Sequence, residues 1–183
     1  MAESQPRARL AWTWGAGMAA LAFALDQATK WWVLTYLMNP LRVIPVNPVF
    51  NLVLGWNRGV SFGLVSADHP ATPWLLSSLA LAIIAGLVVW TIRGPRFWMT
   101  ASVGLIAGGA LGNVVDRLRH GAVMDFLDFH AAGYHWPAFN LADSAIFVGV
   151  ALLLLVGGRR EPDGAPAPTA PCPAPRCERK LSR

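Results

Sequence analysis

The stretch that decides the fold runs from Trp136 to Gly158, "WPAFNLADSAIFVGVALLLLVGG". From Ala138 to Gly158 it holds twenty-one residues in which Asp143 is the only charge. About twenty apolar residues, at roughly 1.5 Å each, cross the hydrocarbon core of a bilayer. A carboxylate at the centre of such a helix costs about 2.5–3.5 kcal/mol, and less towards an end. The stretch therefore reads as a membrane span with an acid at its wet end, and the acid needs a reason.

Three further runs have the same character. Pro73 to Ile92 is twenty residues without a charge, and Phe97 to Val115 is nineteen. Leu10 to Leu25 is sixteen, with helix-compatible sequence continuing past Asp26 towards Leu37. Of the 183 residues 55% are hydrophobic and 14% charged, where a soluble domain carries about 25% charged residues. The predicted fold is an all-α membrane protein with four transmembrane helices, at about 10–34, 73–92, 97–115 and 140–158, in a single domain over residues 1–160. A small β-rich extracytoplasmic cap is expected in the first outer loop, Met38 to Thr72. There "LRVIPVNPVFNLVLGWNRGVSFGLV" sets Val, Ile and Phe between Pro and Asn, the pattern of short strands. Gly17, Gly86, Gly104, Gly108, Gly109 and Gly112 suit close helix packing in lipid. No small-x-small cleavage site follows the first run, so it is expected to be a retained span and not a cleaved leader.

Four spans put both termini on one side. Ten of the fifteen basic residues then lie with the termini, which the positive-inside rule makes cytoplasmic. Asp26, Asp68, Asp116, Asp125, Asp128 and Asp143 all fall on the outer side. The net charge of +5 is thereby a topology signal and gives no reason to expect nucleic acid. Residues 161–183, rich in Pro and Ala, read as a disordered cytoplasmic tail. Its Cys172 and Cys177, the only cysteines, are expected to form neither a disulfide nor a metal site.

Chemistry concentrates in "GNVVDRLRHGAVMDFLDF" (112–129) and "FNLADS" (139–144). Asn113 and Asp116, three apart, share a helical face, and Asn140 and Asp143 repeat the spacing. Asn140 suits an N-cap with Asp143 at the third helical position, a capping box worth about 1 kcal/mol. Capping accounts for one Asp and not for its companions. Two carboxylates sharing a proton make an aspartic peptidase pair, one activating water and the other protonating the scissile carbonyl, with no metal and no cofactor. A Ser–Lys pair would need Lys30 with an outer serine such as Ser61. A metal site on His120, His130 and His135 lacks the H-x-x-x-H and H-E-x-x-H spacings. A proton-coupled transporter and a non-enzymatic assembly factor are the other classes; against a relay, spans one to three carry no midplane charge. Asp116 and Asp125 both stand as partners for Asp143. Asn113 and Arg117, within one turn of Asp116, suit an ionised scaffold acid there. Asp128 reads as a solvated loop charge, and the loop histidines as solvated.

Four boxes, "DQATK" (26–30), "NRGVSFG" (57–63), "GGALGNVVDRLRHGAVMDF" (108–126) and "FNLAD" (139–143), resemble in content and order those of bacterial lipoprotein signal peptidase, over residues 10–158. The resemblance implies an intramembrane aspartic endopeptidase of the bacterial cytoplasmic membrane, active near its outer face. Its substrate would be a diacylglyceryl-modified prolipoprotein arriving through the lipid bilayer, cut just before the lipidated cysteine. Globomycin would inhibit it. By the same resemblance Asp125 and Asp143 are the catalytic pair, and Asn57, Asn113 and Asn140 position substrate or carboxylate. Arg117 would orient the loop, Asp116 would serve as scaffold, and the i,i+4 pair Asp26–Lys30 would anchor span one to the outer loops. Trp56-Asn57-Arg58 departs from the family pattern, where a basic residue precedes the Asn, and leaves Arg58 without a role.

Overall fold

The computed structural model describes residues 4–59, 69–92 and 95–157. The expectations for the tail, Ser61, Asp68 and the second half of the "NRGVSFG" box lie outside the described residues. Helix α1 (Ser4–Trp32) runs into a π-helical turn, Val33–Leu37, that delivers the chain to strands β1 (Ile44–Asn47) and β2 (Phe50–Asn57). Helices α2 (Thr72–Ile92) and α3 (Phe97–His120) follow, then β3 (Val123–Ala131), β4 (Tyr134–His135) and α4 (Leu141–Gly157). The four apolar runs thus become four helices. Among the described residues α2 and α3 are long and apolar enough to cross a membrane; the apolar stretch of α4, Leu141–Leu155, is shorter.

Helix α3 is the hub, packing on α1, α4 and α2. Its small residues permit this. A Cβ on Gly104 or Gly108 would overlap the carbonyl oxygen of Gly15 or Ala19 on α1, and one on Gly109 would lie 2.5 Å from the carbonyl oxygen of Ala142 on α4. Backbones brought this close gain dispersion and close packing, the forces left to helices in lipid. The expectation finds no support at Gly17 and Gly86, where an added Cβ would meet nothing within 4 Å.

At its C-terminal end α3 stops at Gly121, whose left-handed φ of 70° and N–H bond to the Arg117 carbonyl (3.0 Å) form a helix C-cap. That turn launches β3. The four strands form one antiparallel sheet in the order β1-β2-β3-β4. The cap is therefore not confined to the first outer loop: "VMDFLDF", whose Asp128 was expected to be a solvated loop charge, is a strand of the sheet. Acids are admitted there because β2 supplies each with an amide. Asn51 faces Asp128, Asn57 lies near Asp125, and an irregularity between Leu52 and Gly55 adjusts the register between them. Val33, Met38, Met124 and Phe126 form the buried core that seats the sheet on the end of α1. Burying side chains of this size contributes about 1.5–3 kcal/mol each.

Candidate active site

The first turn of α4 sets the geometry. Asn140 Oδ1 accepts the Asp143 backbone N–H at 2.9 Å, and the Asn140 N–H donates to Asp143 Oδ2 at 3.2 Å. This is the expected capping box, and it satisfies two otherwise orphaned donors. The side-chain amide of Asn140 then does more than cap. Fully buried, its Nδ2 donates to Asp125 Oδ1 at 2.7 Å and to Asn113 Oδ1 at 3.2 Å. Asn113 Nδ2 donates to Asp143 Oδ1 at 2.8 Å, and Asn57 Nδ2 to Asp125 Oδ2 at 3.2 Å. One asparagine thus holds two carboxylates from distant parts of the chain, Asp125 on β3 and Asp143 on α4. Asp125 is buried, and burial together with the negative charge of Asp143 pushes its pKa up to about 6. The hydrogen bonds from Asn57 and Asn140 and the charge of Lys30 offset part of that rise.

A second charged cluster lies beside the first, with Asn113 common to both. Lys30 Nζ donates to Asp26 Oδ2 at 2.9 Å, lies 2.7 Å from Asp116 Oδ2, and reaches Asn113 Oδ1 at 3.2 Å. Three acceptors match the three donors of an ammonium group. Gln27 Nε2 bridges the two acids, at 3.1 Å from Asp26 Oδ2 and 3.2 Å from Asp116 Oδ1. Asp26 Oδ1 accepts the Ala142 N–H of α4 at 3.0 Å, and Asp116 Oδ2 the Met124 N–H of β3 at 3.3 Å. The i,i+4 pair Asp26–Lys30 therefore ties α1 to α3 and α4. Asp116 takes its ion pair from Lys30 on α1. Arg117 is half-buried, with its charge turned on Asp143, Asp116 and Asp125.

Three contributors were not given these roles in the sequence, where His135 figured only in the metal alternative. Gln27 is one; its place inside "DQATK" was the available signal. Asn51 and His135 are the others, and they correct the reading of Asp128. This carboxylate is buried, with Asn51 Nδ2 at 3.0 Å and His135 Nδ1 at 2.9 Å. The His135 hydrogen bond holds its pKa below the ordinary carboxylate value. The β3–β4 hairpin brings His135 there and stacks its ring on His130 at 4.9 Å, so neither is a simply solvated loop residue. Arg58 lines a cleft with Trp56, His120 and Ala122. Among the described residues no group of three or more His, Cys, Asp or Glu is placed to hold a metal ion.

Comparison with known proteins bears on this arrangement. The family model described as "Signal peptidase (SPase) II" matches residues 18–157. The lipoprotein signal peptidase of Aeromonas hydrophila is 44% identical over 154 residues, covering 83% of this chain and 90% of the relative. That of Azoarcus sp. is 47% identical over 154 residues, covering 81% and 86%. That of Rhodopseudomonas palustris is 44% identical over 161 residues, covering 84% and 94%. A solved bacterial membrane enzyme at 1.9 Å resolution superposes with a TM-score of 0.68 at 28% identity, covering 79% of this chain and 92% of the other. A second, at 2.3 Å, gives 0.66 at 29%, covering 78% and 85%.

Proposed function

The chain belongs to the signal peptidase II family, and on that premise we propose that it is an intramembrane aspartic endopeptidase with Asp125 and Asp143 as its catalytic pair. Membership makes it a membrane peptidase hydrolase whose relatives are lipoprotein signal peptidases, so its work is the removal of signal peptides from prolipoproteins. The finer reading is that it cuts diacylglyceryl-modified prolipoproteins just before the lipidated cysteine. It would do so from the bacterial inner membrane with four spans, both termini cytoplasmic and the site near the outer face.

The observation that carries the reading is the Asn140 bridge between the two carboxylates. Asp125, with its raised pKa, is the acid that keeps a proton; Asp143, held by Asn113 and the start of α4, is the base. Asp143 takes a proton from water, and the hydroxyl oxygen adds to the scissile carbonyl carbon while Asp125 protonates the carbonyl oxygen. The tetrahedral diol collapses as the protonated Asp143 delivers its proton to the leaving amine of the cysteine and the C–N bond breaks. Asp125 recovers its proton from the diol hydroxyl. Lys30 pairs with both Asp26 and Asp116 and ties their helices together, which separates Asp116 from the chemistry.

The test is purified protein in detergent with a diacylated prolipoprotein, free of ATP and added metal. Wild type should release the signal peptide, globomycin should stop it, and Asp125→Asn and Asp143→Asn should abolish it while remaining folded. Full processing by either variant would sink the assignment.

A further inference from the structure

We propose that a cleft between the tips of the two hairpins docks the start of the substrate's mature chain. It would take an aromatic or long aliphatic side chain four to five residues beyond the scissile bond. The inference rests on the reading of Asp125 and Asp143 as the catalytic pair. The cleft has a volume of about 310 Å³ and is lined by Val49 of the β1–β2 turn, Phe129, His130 and Ala131 of β3, Tyr134 of β4, and Trp136. Backbone bonds fix its walls: the His130 N–H donates to the Val49 carbonyl at 2.9 Å, and the Trp136 N–H to the Phe129 carbonyl at 2.8 Å. Phe129 is braced from two sides, by Phe50 with ring centroids 4.7 Å apart and by Phe139 at 5.8 Å. Strand pairing and ring stacking fix the floor of the cleft, and the exposed side chains of Tyr134 and Trp136 complete it.

Its place in the fold selects the occupant. Strand β3 leads directly from Asp125 to the cleft, with Phe129 and His130 four and five residues further along. At 3.3 Å per residue that is about 13–17 Å. A substrate extended along the strand covers this span in four to five residues of its own. The signal helix of a prolipoprotein occupies the lipid, so the segment on the sheet side is the mature one. The lining is almost wholly apolar, so the cleft takes a hydrophobic side chain and leaves the polar backbone that bears it outside.

The experiment compares two diacylated prolipoproteins with identical signal peptides and cleavage sequences. One carries Phe at the fourth and fifth mature positions; the other ends after the second mature residue. Wild type should cleave the longer with a kcat/KM about tenfold higher, the scale of one apolar subsite. Trp136→Ala and Tyr134→Ser, both at exposed positions, should bring that ratio to about one. A wild-type ratio of one overturns the docking site and leaves the peptidase reading standing. So does an unchanged ratio in both variants, even if both substrates slow together, since that would assign Trp136 and Tyr134 to lipid contact or folding. Failure of wild type to cleave either substrate overturns the peptidase reading itself.

Discussion

Asn140 performs two jobs with the two ends of one side chain, and substitutions can separate them. Its Oδ1 caps α4 through the Asp143 N–H, and its Nδ2 holds Asp125 at 2.7 Å. Asn140→Ala removes both. A lost N-cap costs about 0.5–2 kcal/mol, and a lost hydrogen bond to a charged or proton-sharing carboxyl about 1.5–3 kcal/mol, so destabilisation of about 2–5 kcal/mol is expected. Asn140→Ser keeps a capping oxygen but is too short to reach Asp125, so it should recover about 1 kcal/mol of that loss. Activity should not recover with it. An acid released from its position by about 1.4–2.7 kcal/mol loses about 10- to 100-fold in kcat, and both variants should show this. The pH profile gives an independent reading. The Asn140 bond is one of the influences that lower the Asp125 pKa, so its loss should move the alkaline limb of the rate upwards in both variants. Unfolding in mixed micelles gives the stabilities, and prolipoprotein cleavage across pH 5–9 gives the rates. If Asn140→Ser restores rate and stability together, Asn140 is only a helix cap and the bridge has no part in the chemistry.

Three other outcomes follow from the same contacts. In wild type Asp125 is raised to about 6, so the fold favours its protonated form; the stability tied to it is complete below the ordinary carboxylate range and is lost as pH rises through about 6. Processing should fall over the same alkaline side, with an apparent pKa that belongs to the pair; a flat rate between pH 5 and 8 would contradict the shared proton. Lys30→Met leaves Asp26 and Asp116 facing each other without their buried cation, and should cost about 3–5 kcal/mol in micelle unfolding. Unchanged stability with lost activity would instead give Lys30 a direct part in the reaction. Gly104→Ala forces a methyl against the Gly15 carbonyl and should cost at least about 1–3 kcal/mol, whereas Gly17→Ala, facing open space, should cost nothing measurable.

Much of the local structure was readable in the chain. The four apolar runs become the four helices, and the spacing of Asn140 and Asp143 gave the capping box atom for atom. Both signals are local: helical periodicity ties residue i to i+3 and i+4 whatever surrounds it. The errors share the opposite cause. Asp128 resembled a solvated charge because its partners, Asn51 and His135, stand on other strands. "VMDFLDF" fell outside the expected cap because the amides that admit its acids to a sheet come from β2, seventy-seven positions away in the case of Asn51. Gly17 and Gly86 looked like packing residues because small size is visible in a sequence while the face it lies on is not.

Composition, run length and i,i+3 spacing thus determined that this is a helical membrane protein with acids gathered at one end of its spans. They also determined that Asp143 sits in a capped first turn. Which acid shares Asn140 with it is visible only in three dimensions. Both Asp116 and Asp125 lie within reach along the chain. The tertiary structure commits Asp116 to Lys30 of α1 and turns Asp125 on β3 towards the amide of Asn140. The physical reason is that a buried charge takes whichever partner the packing of distant elements supplies, and strand register and helix contact, not sequence spacing, decide that supply.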